Sequence, residues 1–200
     1  MRKTLLLLTT MALALLLAAG TAWAALPAPT VTSTGPANGT TGVLTTANIT
    51  ATFSEAMNTK SLGILNQSTT TPPSTNSSTT FYLLPGNFTA SATPPSGALK
   101  NPPRFCKNTA TGTTAACPTP ITAKVSYNAA GTPTAIPPIP PNTATLDPRV
   151  ALDPGTPYTA VVEGTNDGDK VAVKDTGLTP MAQDSIFSFT TAGTAPGTTP

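Results

Sequence analysis

The sequence contains no histidine among its 200 residues, and this absence removes several kinds of chemistry. Hydrolases of the Ser-His-acid and Cys-His types need an imidazole as general base, so neither arrangement can be built from this chain. The usual zinc and copper centres also rely on imidazole nitrogen. The sequence therefore predicts no catalytic residue, no metal site and no cofactor.

Charged side chains are scarce, at 9% of residues, against roughly 25% in ordinary globular domains. Arg2 and Lys3 account for the whole formal net charge of +2, so the chain beyond them is neutral. A neutral domain offers no electrostatic attraction to nucleic acid or to an anionic membrane surface. We expect neither as a partner.

The carboxylates that could act in pairs all lie in turn-like sequence. Asp147 and Asp153 lie beside proline, and Asp167 and Asp169 flank Gly168. Such side chains favour hydrogen bonds to nearby backbone, which form turns. The second pair could also offer oxygen ligands to calcium, but no glutamate follows at the distance that a calcium loop requires. We interpret it as a hairpin turn.

Residues 1–24 have the three parts of a secretory signal peptide. A basic start leads into an apolar run, and small residues at Ala22 and Ala24 precede the expected cleavage site. The alternative is a retained membrane anchor, which needs about 20 apolar residues. Two threonines interrupt the run here. We expect cleavage after Ala24, export, and no stable membrane insertion afterwards.

Only two cysteines are present, Cys106 and Cys117. In an exported protein such a pair is far more often bridged than free. Their spacing differs from the redox-active C-x-x-C motif, and no histidine is available to complete a zinc shell. We predict a structural disulfide, which stabilises by about 3 kcal/mol on the chain-entropy estimate. The predicted location is secreted, periplasmic or cell-surface, in a bacterium.

Short runs of alternating apolar and polar residues predict an all-β fold. In residues 48–53, Ile49, Ala51 and Phe53 fall on one face and two threonines on the other. Residues 121–127, 142–146 and 185–190 alternate in a similar way, and the apolar runs at 81–84 and 159–163 are also interpreted as strands. Most of the prolines and glycines lie between these runs, where a sheet protein tolerates them. The pattern favours a β-sandwich.

The length fits one domain, which we place at residues 25–191. Two Thr/Pro-rich stretches, 66–80 and 87–120, are interpreted as loop insertions, and the second carries both cysteines. Residues 58–62 are expected to form one helical turn. Residues 192–200 have the composition of a flexible tail.

A turn at Pro154 and Gly155 precedes Tyr158, which begins a predicted strand. This is the pattern of a tyrosine corner, in which the ring packs beneath a crossing and the hydroxyl bonds back to the preceding backbone. Greek-key sandwiches use the device to fix a crossover between sheets. We therefore predict that Tyr158, Pro154 and Gly155 form a structural corner.

Two groups of residues resemble the SbsA-type bacterial Ig-like domain. The first is residues 31–57, with a Pro-Ala-Asn-Gly turn and an Ala-x-Phe-Ser-Glu-Ala-Met strand end. The second comprises Tyr158, residues 173–175 and the closing Phe-Ser-Phe-Thr-Thr of residues 187–191. The resemblance implies an Ig-like Greek-key sandwich of about seven strands, used in bacterial surface proteins as a spacer, stalk or adhesion module. It departs from the family at the two insertions.

Periplasmic copper carriers of the CopC type are similar in the Pro-Ala-x-Gly turn and the Phe-Ser-Glu strand end. They bind copper through histidine together with aspartate or methionine, and histidine is missing here. We interpret Met57 as a packing residue at a strand end and Met181 as a loop residue.

Three functional hypotheses follow. The first is a non-enzymatic structural spacer or adhesion module, and the second is an extracellular or periplasmic binding domain that uses the disulfide-stapled loop. The third is a polymer subunit whose arm, residues 26–30, adds as a strand to a neighbour. The partner class they imply is a cell-surface protein or polysaccharide.

Overall fold

The computed structural model describes residues 27–63, 80–90, 105–136, 138–165 and 172–194. Eleven strands and no helix occur within these ranges, so the predicted all-β class is confirmed. Four sequence-based predictions lie wholly or mostly outside the described residues: the signal peptide of residues 1–24, the turn around Asp167, nearly all of the 66–80 insertion, and the tail beyond residue 194.

The first sheet contains four antiparallel strands in the order β1-β3-β9-β8. These are β1 (Val31–Gly35), β3 (Ile49–Phe53), β8 (Ala123–Asn128) and β9 (Thr143–Pro148). In β3 the side chains of Ile49, Ala51 and Phe53 are buried and the intervening threonines are half-buried. The alternation in the sequence thus fixed which face of this strand meets the core.

The second sheet has the order β2-β11-β10-β4. It contains β2 (Thr40–Val43), β4 (Phe81–Pro85), β10 (Pro157–Val162) and β11 (Ser185–Thr191). Strand β2 runs parallel to β11, and the other neighbours are antiparallel. The two sheet orders are those of a constant-type immunoglobulin sandwich with β2 added along the last strand. The predicted Ig-like sandwich is confirmed, with eight strands in place of about seven.

The main core lies between these two sheets. Phe53 from the first sheet and Phe81, Phe187 and Phe189 from the second are at most 3% exposed. The ring of Tyr158 is stacked on that of Phe189, with ring centroids 5.8 Å apart. Inward-facing residues of both sheets fill the space, as in other sandwiches of this type.

Residues 87–120 were interpreted from the sequence as a loop, whereas the structure has a third sheet there. It contains three antiparallel strands, β5 (Phe88–Ala90), β6 (Phe105–Asn108) and β7 (Thr114–Ala116), in that order. Strands of three or four residues are too short to show a clear alternation. This sheet packs on the outer face of the second sheet, so β4 is buried on both sides.

Residues 58–62 form the single turn that the sequence predicts. The Asn58 side-chain oxygen accepts a hydrogen bond from the Lys60 N–H at 3.0 Å, and the Leu62 N–H donates to the Asn58 carbonyl at 3.3 Å. Leu62 is fully buried in the main core. The turn therefore anchors the connection that follows β3.

Candidate functional site

The strand directions define two ends of the sandwich. Strand β1 begins where β3 ends, because Val31 pairs with Phe53. Strand β11 ends beside the end of β2, because Thr191 pairs with Val43. Residues 44–48 lead from there to the start of β3, which spans the sandwich. The chain thus enters the sandwich at one end and leaves it at the other.

We call the first of these the loop end, since the long connections meet there: residues 54–63, 129–142 and 172–184. We call the second the corner end. It contains residues 44–48, 149–156 and 192–194.

At the corner end, Tyr158 is 1% exposed and its hydroxyl oxygen accepts a hydrogen bond from the Asp153 N–H at 2.9 Å. The Gly155 N–H donates to the Ala192 carbonyl at 2.9 Å, and Gly155 has a φ of 64°. The hydroxyl of Thr191 donates to the Asp153 carbonyl at 2.6 Å. The turn is thereby fixed to the last strand, in the geometry of a tyrosine corner.

At the loop end, hydrogen bonds join connections that are distant in the sequence. The Met57 N–H donates to the Tyr127 hydroxyl at 2.8 Å, and that hydroxyl donates to the side-chain oxygen of Asn142 at 3.2 Å. The Asn58 N–H donates to the Lys174 carbonyl at 2.8 Å. These contacts make the loop end an ordered surface.

The two methionines singled out from the sequence both lie in the main core. Met57 and Met181 are each 2% exposed, so Met181 is a core residue and its interpretation as a loop residue is incomplete. In the part of the chain that the structure describes, no three histidine, cysteine, aspartate or glutamate side chains are grouped so as to hold a metal ion.

Sequence reasoning gave no role to two buried acids near the loop end, Glu163 and Asp175, which are 4% and 3% exposed. One carboxylate oxygen of Asp175 accepts a hydrogen bond from the Thr179 N–H at 2.7 Å. The carboxylate of Asp184 accepts in the same way from the Gly164 N–H, also at 2.7 Å. Hydrogen bonds of this kind organise the connection between β10 and β11, which is a structural role.

A cleft of about 250 Å³ lies between the arm before β1 and residues 181–185. Ala28, Pro29 and Met181 form part of its wall. The arm is tied to its own sandwich, because Thr30 accepts from the Ser54 N–H at 2.9 Å and its own N–H donates to the Ser54 hydroxyl at 3.1 Å. The cleft brings together no acid-base pair.

The third sheet carries the cysteine pair. Cys106 and Cys117 are joined by a disulfide with a Cα–Cα distance of 4.9 Å, as the sequence predicts. In the turn between β6 and β7, the Asn108 side-chain oxygen accepts from the N–H groups of Ala110 and Thr111 at 2.9 and 3.1 Å. The tip of the stapled segment is thus ordered by its own hydrogen bonds.

The same sheet presents a polar row to solvent. Thr89, Lys107 and Thr114 lie directly opposite one another across its three strands, and all three are exposed. Cys106, one position away on β6, is 8% exposed and faces the sandwich. Among the described side chains of the third sheet, Cys106 and Phe88 face the sandwich, and the outer row presents two hydroxyl groups and one ammonium group.

The Pro-rich connection between β8 and β9 is largely exposed in the residues that the structure describes. Thr132 and Ile139 bond to each other through both backbone groups, at 2.7 and 3.1 Å. The loop that they close carries Ile136, which is fully exposed.

No helix among the described residues is long and apolar enough to cross a membrane.

Comparison with known protein families gives a match for residues 27–101. Residues 27–101 match the sequence profile of a family described as bacterial Ig-like domain. The resemblance stated from the sequence is thus confirmed over that range. Comparison with curated protein sequences gives no significant match.

Among solved structures, PcoC, a methionine-rich copper resistance protein from Escherichia coli, is similar with a TM-score of 0.42 and 14% sequence identity. That alignment covers 82% of this chain and 99% of PcoC. The S-layer protein rSbsC is similar with a TM-score of 0.39 and 16% identity. That alignment covers 86% of this chain but only 14% of the S-layer protein.

Proposed function

We propose that the protein is a non-enzymatic, exported Ig-like module that serves a bacterial surface or periplasmic protein as a structural spacer or adhesion module. The match of residues 27–101 to the bacterial Ig-like domain and the disulfide both point to an extracellular or surface setting. The direction of the chain through the sandwich is the observation that supports the spacer role.

Because the chain enters at the loop end and leaves at the corner end, tension applied to its two flanks acts along the strands. That tension pulls β2 and β11 in opposite directions. The two segments are joined by the pairing of β2 with β11 and by further hydrogen bonds at its ends. The latter include Gly39 N–H to Ser188 carbonyl at 2.7 Å, Ala192 N–H to Val43 carbonyl at 2.7 Å, and Ser188 N–H to the Asn38 side chain at 2.9 Å. Because tension acts on all of these hydrogen bonds at the same time, they resist extension together. This property suits a module that must keep its length.

Single-molecule stretching tests this role. The mature domain is placed between two marker domains, and the force at which it unfolds is compared for the wild type and Ala192→Pro. The proline removes the N–H that bonds to Val43, so we expect a lower unfolding force. Gly193→Ala is the control, since a Cβ at Gly193 meets no atom within 4 Å. Equal forces for the wild type and Ala192→Pro would count against the spacer role.

Export is tested separately, by fractionating the native host and locating the protein with an antibody. A protein found in the periplasm, on the surface or in the medium supports the proposal. A protein confined to the cytoplasm contradicts it.

A second candidate function is ligand binding by the stapled sheet, which the exposed row of Thr89, Lys107 and Thr114 favours. Hydroxyl and ammonium groups on a rigid sheet can donate hydrogen bonds to a cell-surface polysaccharide. Binding to a panel of purified bacterial wall polysaccharides is measured for the wild type, Lys107→Ala and the control Lys124→Ala, which alters an exposed lysine on β8. Loss of binding in Lys107→Ala alone supports this function. Equal binding by all three proteins removes the row from consideration.

A further inference from the structure

We propose that the third sheet is a cover locked by the Cys106–Cys117 disulfide, and that reduction of this bond uncovers an apolar face of the sandwich. The cover comprises residues 88–90, 105–108 and 114–117. The covered face comprises Tyr82 and Leu84 of β4, Val161 of β10 and Ile186 of β11.

The covered face is separate from the main core. Leu84 and Val161 are 1% and 6% exposed and pack with the cover, whereas Leu83 and Val162 belong to the main core. Successive residues of a strand point to opposite faces of its sheet. The cover can therefore open without disturbing the contacts between the two main sheets.

The cover has few contacts of its own with the sandwich. Among the described side chains, Phe88, Cys106 and Cys117 supply its part of the apolar cluster. The Phe88 N–H also donates to the Thr159 hydroxyl at 3.0 Å, which holds β5 in place. Strands β6 and β7 have four and three residues, and isolated sheets of this size are marginally stable in water.

Strand β7 depends most on the disulfide. Thr114 and Ala115 are exposed, and neither belongs to the apolar cluster. Within the described residues, β7 is held by its pairing with β6 and by the bond through Cys117. Breaking that bond removes the restraint that keeps the hairpin of β6 and β7 closed.

A dithiol reductant supplies the chemistry. Two electrons and two protons pass to the protein disulfide, Cys106 and Cys117 become thiols, and the reductant becomes a disulfide. On the chain-entropy relation for a ring of this size, losing the bond favours opening by about a hundredfold. We expect the hairpin of β6 and β7 to detach while β5 stays attached.

Native-state hydrogen exchange on the mature protein tests the proposal, with the oxidised form compared with protein kept reduced by dithiothreitol. Mass spectrometry after alkylation verifies complete reduction. Amide protection in β6 and β7 should fall by about a hundredfold, while protection in β10 and β11 is retained. A dye that binds apolar surface should gain fluorescence, and trypsin should cleave faster after Lys107 but not after Lys124.

The variant Cys106→Ser with Cys117→Ser should reproduce the reduced form without reductant. Because that variant could fail to fold during expression, the decisive comparison is reduction of the folded wild type. Protection of β6 and β7 that survives complete reduction would overturn the proposal. Loss of protection in β10 and β11 at the same time would overturn it too, since the cover and sandwich would then open as one unit. The proposed spacer role is not a premise of this test.

Discussion

Tyr158 is held both by ring stacking on Phe189 and by the bond that its hydroxyl accepts from Asp153. Tyr158→Phe keeps the ring but leaves the partly buried Asp153 N–H without its partner. We therefore expect the free energy of unfolding to fall by about 0.5–1.5 kcal/mol. Urea unfolding measures the difference. Asp153→Ala is the control, because it keeps the backbone N–H and removes only an exposed side chain. A loss of stability in Asp153→Ala equal to that in Tyr158→Phe would argue against the corner.

A comparison of Gly131 with Gly42 distinguishes two costs of adding a side chain: the strain of a positive φ and the clash with neighbouring atoms. Both have a left-handed backbone, at φ of 75° and 70°, which costs a non-glycine residue roughly 1–2 kcal/mol. A Cβ at Gly131 would also lie 2.7 Å from the Pro141 nitrogen and 2.8 Å from the Ile139 oxygen, whereas Gly42 has open space. We expect Gly131→Ala to be less stable than Gly42→Ala by about 1–3 kcal/mol. Thermal unfolding of both variants measures this, and equal stabilities would contradict the close packing of this loop.

Individual residues were predictable where one local rule decides their role. The bond between the two cysteines was predictable because the expected export favours a disulfide, and the structure contains that disulfide. The burial of Met181 and Asp175 could not be predicted from the sequence. Both residues lie in the connection between β10 and β11, and tertiary contacts with the segment around Met57 bury that connection.

Adjacent leucines on β4 give a test of the three-layer arrangement. Leu83 faces the main core and Leu84 faces the cover, and both are almost fully buried. In the oxidised protein, replacing either with alanine should cost about 2–5 kcal/mol. After reduction, Leu84→Ala should lose part of that cost, because the β6–β7 hairpin leaves the cluster while Phe88 of β5 stays, and Leu83→Ala should keep its full cost. Urea unfolding of both variants under both conditions is the measurement, and parallel behaviour of the pair would contradict the separation of the two clusters.

Strands with five or more alternating residues were predictable, as β3 and β11 show. Strands β6 and β7 were not predictable, because they are short and become strands only by pairing within the third sheet. Strand β2 was hidden in a turn-rich crossing for a similar reason. Its partner β11 lies far away in the sequence, so the local residue pattern around β2 does not indicate the pairing.

At the scale of the whole molecule, the fold class followed from the sequence, and the family resemblance supplied the Ig-like connectivity. The strand order itself depends on non-local pairing such as that of β3 with β9, which no local pattern encodes. The resemblance did not extend to the insertion, so the third layer was missed.

The intact mass of the protein purified from its native host tests the whole-chain predictions. We expect a chain that begins after Ala24 and gains two alkyl groups only when it is reduced before alkylation. The cleaved chain, which lacks Arg2 and Lys3, should have a net charge close to zero at pH 7. A mass that includes residues 1–24, or alkylation without reduction, would contradict export with a closed disulfide.

The chain leaves the sandwich for the third sheet and rejoins it at neighbouring points. The Gly86 N–H is bonded to the Pro157 carbonyl at 2.8 Å, and the Ile121 N–H to the Leu83 carbonyl at 2.8 Å. Both anchors belong to the β4–β10 pair, so the sandwich constrains the spacing of the insert's ends. Between those ends, the insert must also cover the apolar side chains of Tyr82, Leu84 and Val161. This position is therefore a graft site for a small domain that has closely spaced ends and an apolar face of its own.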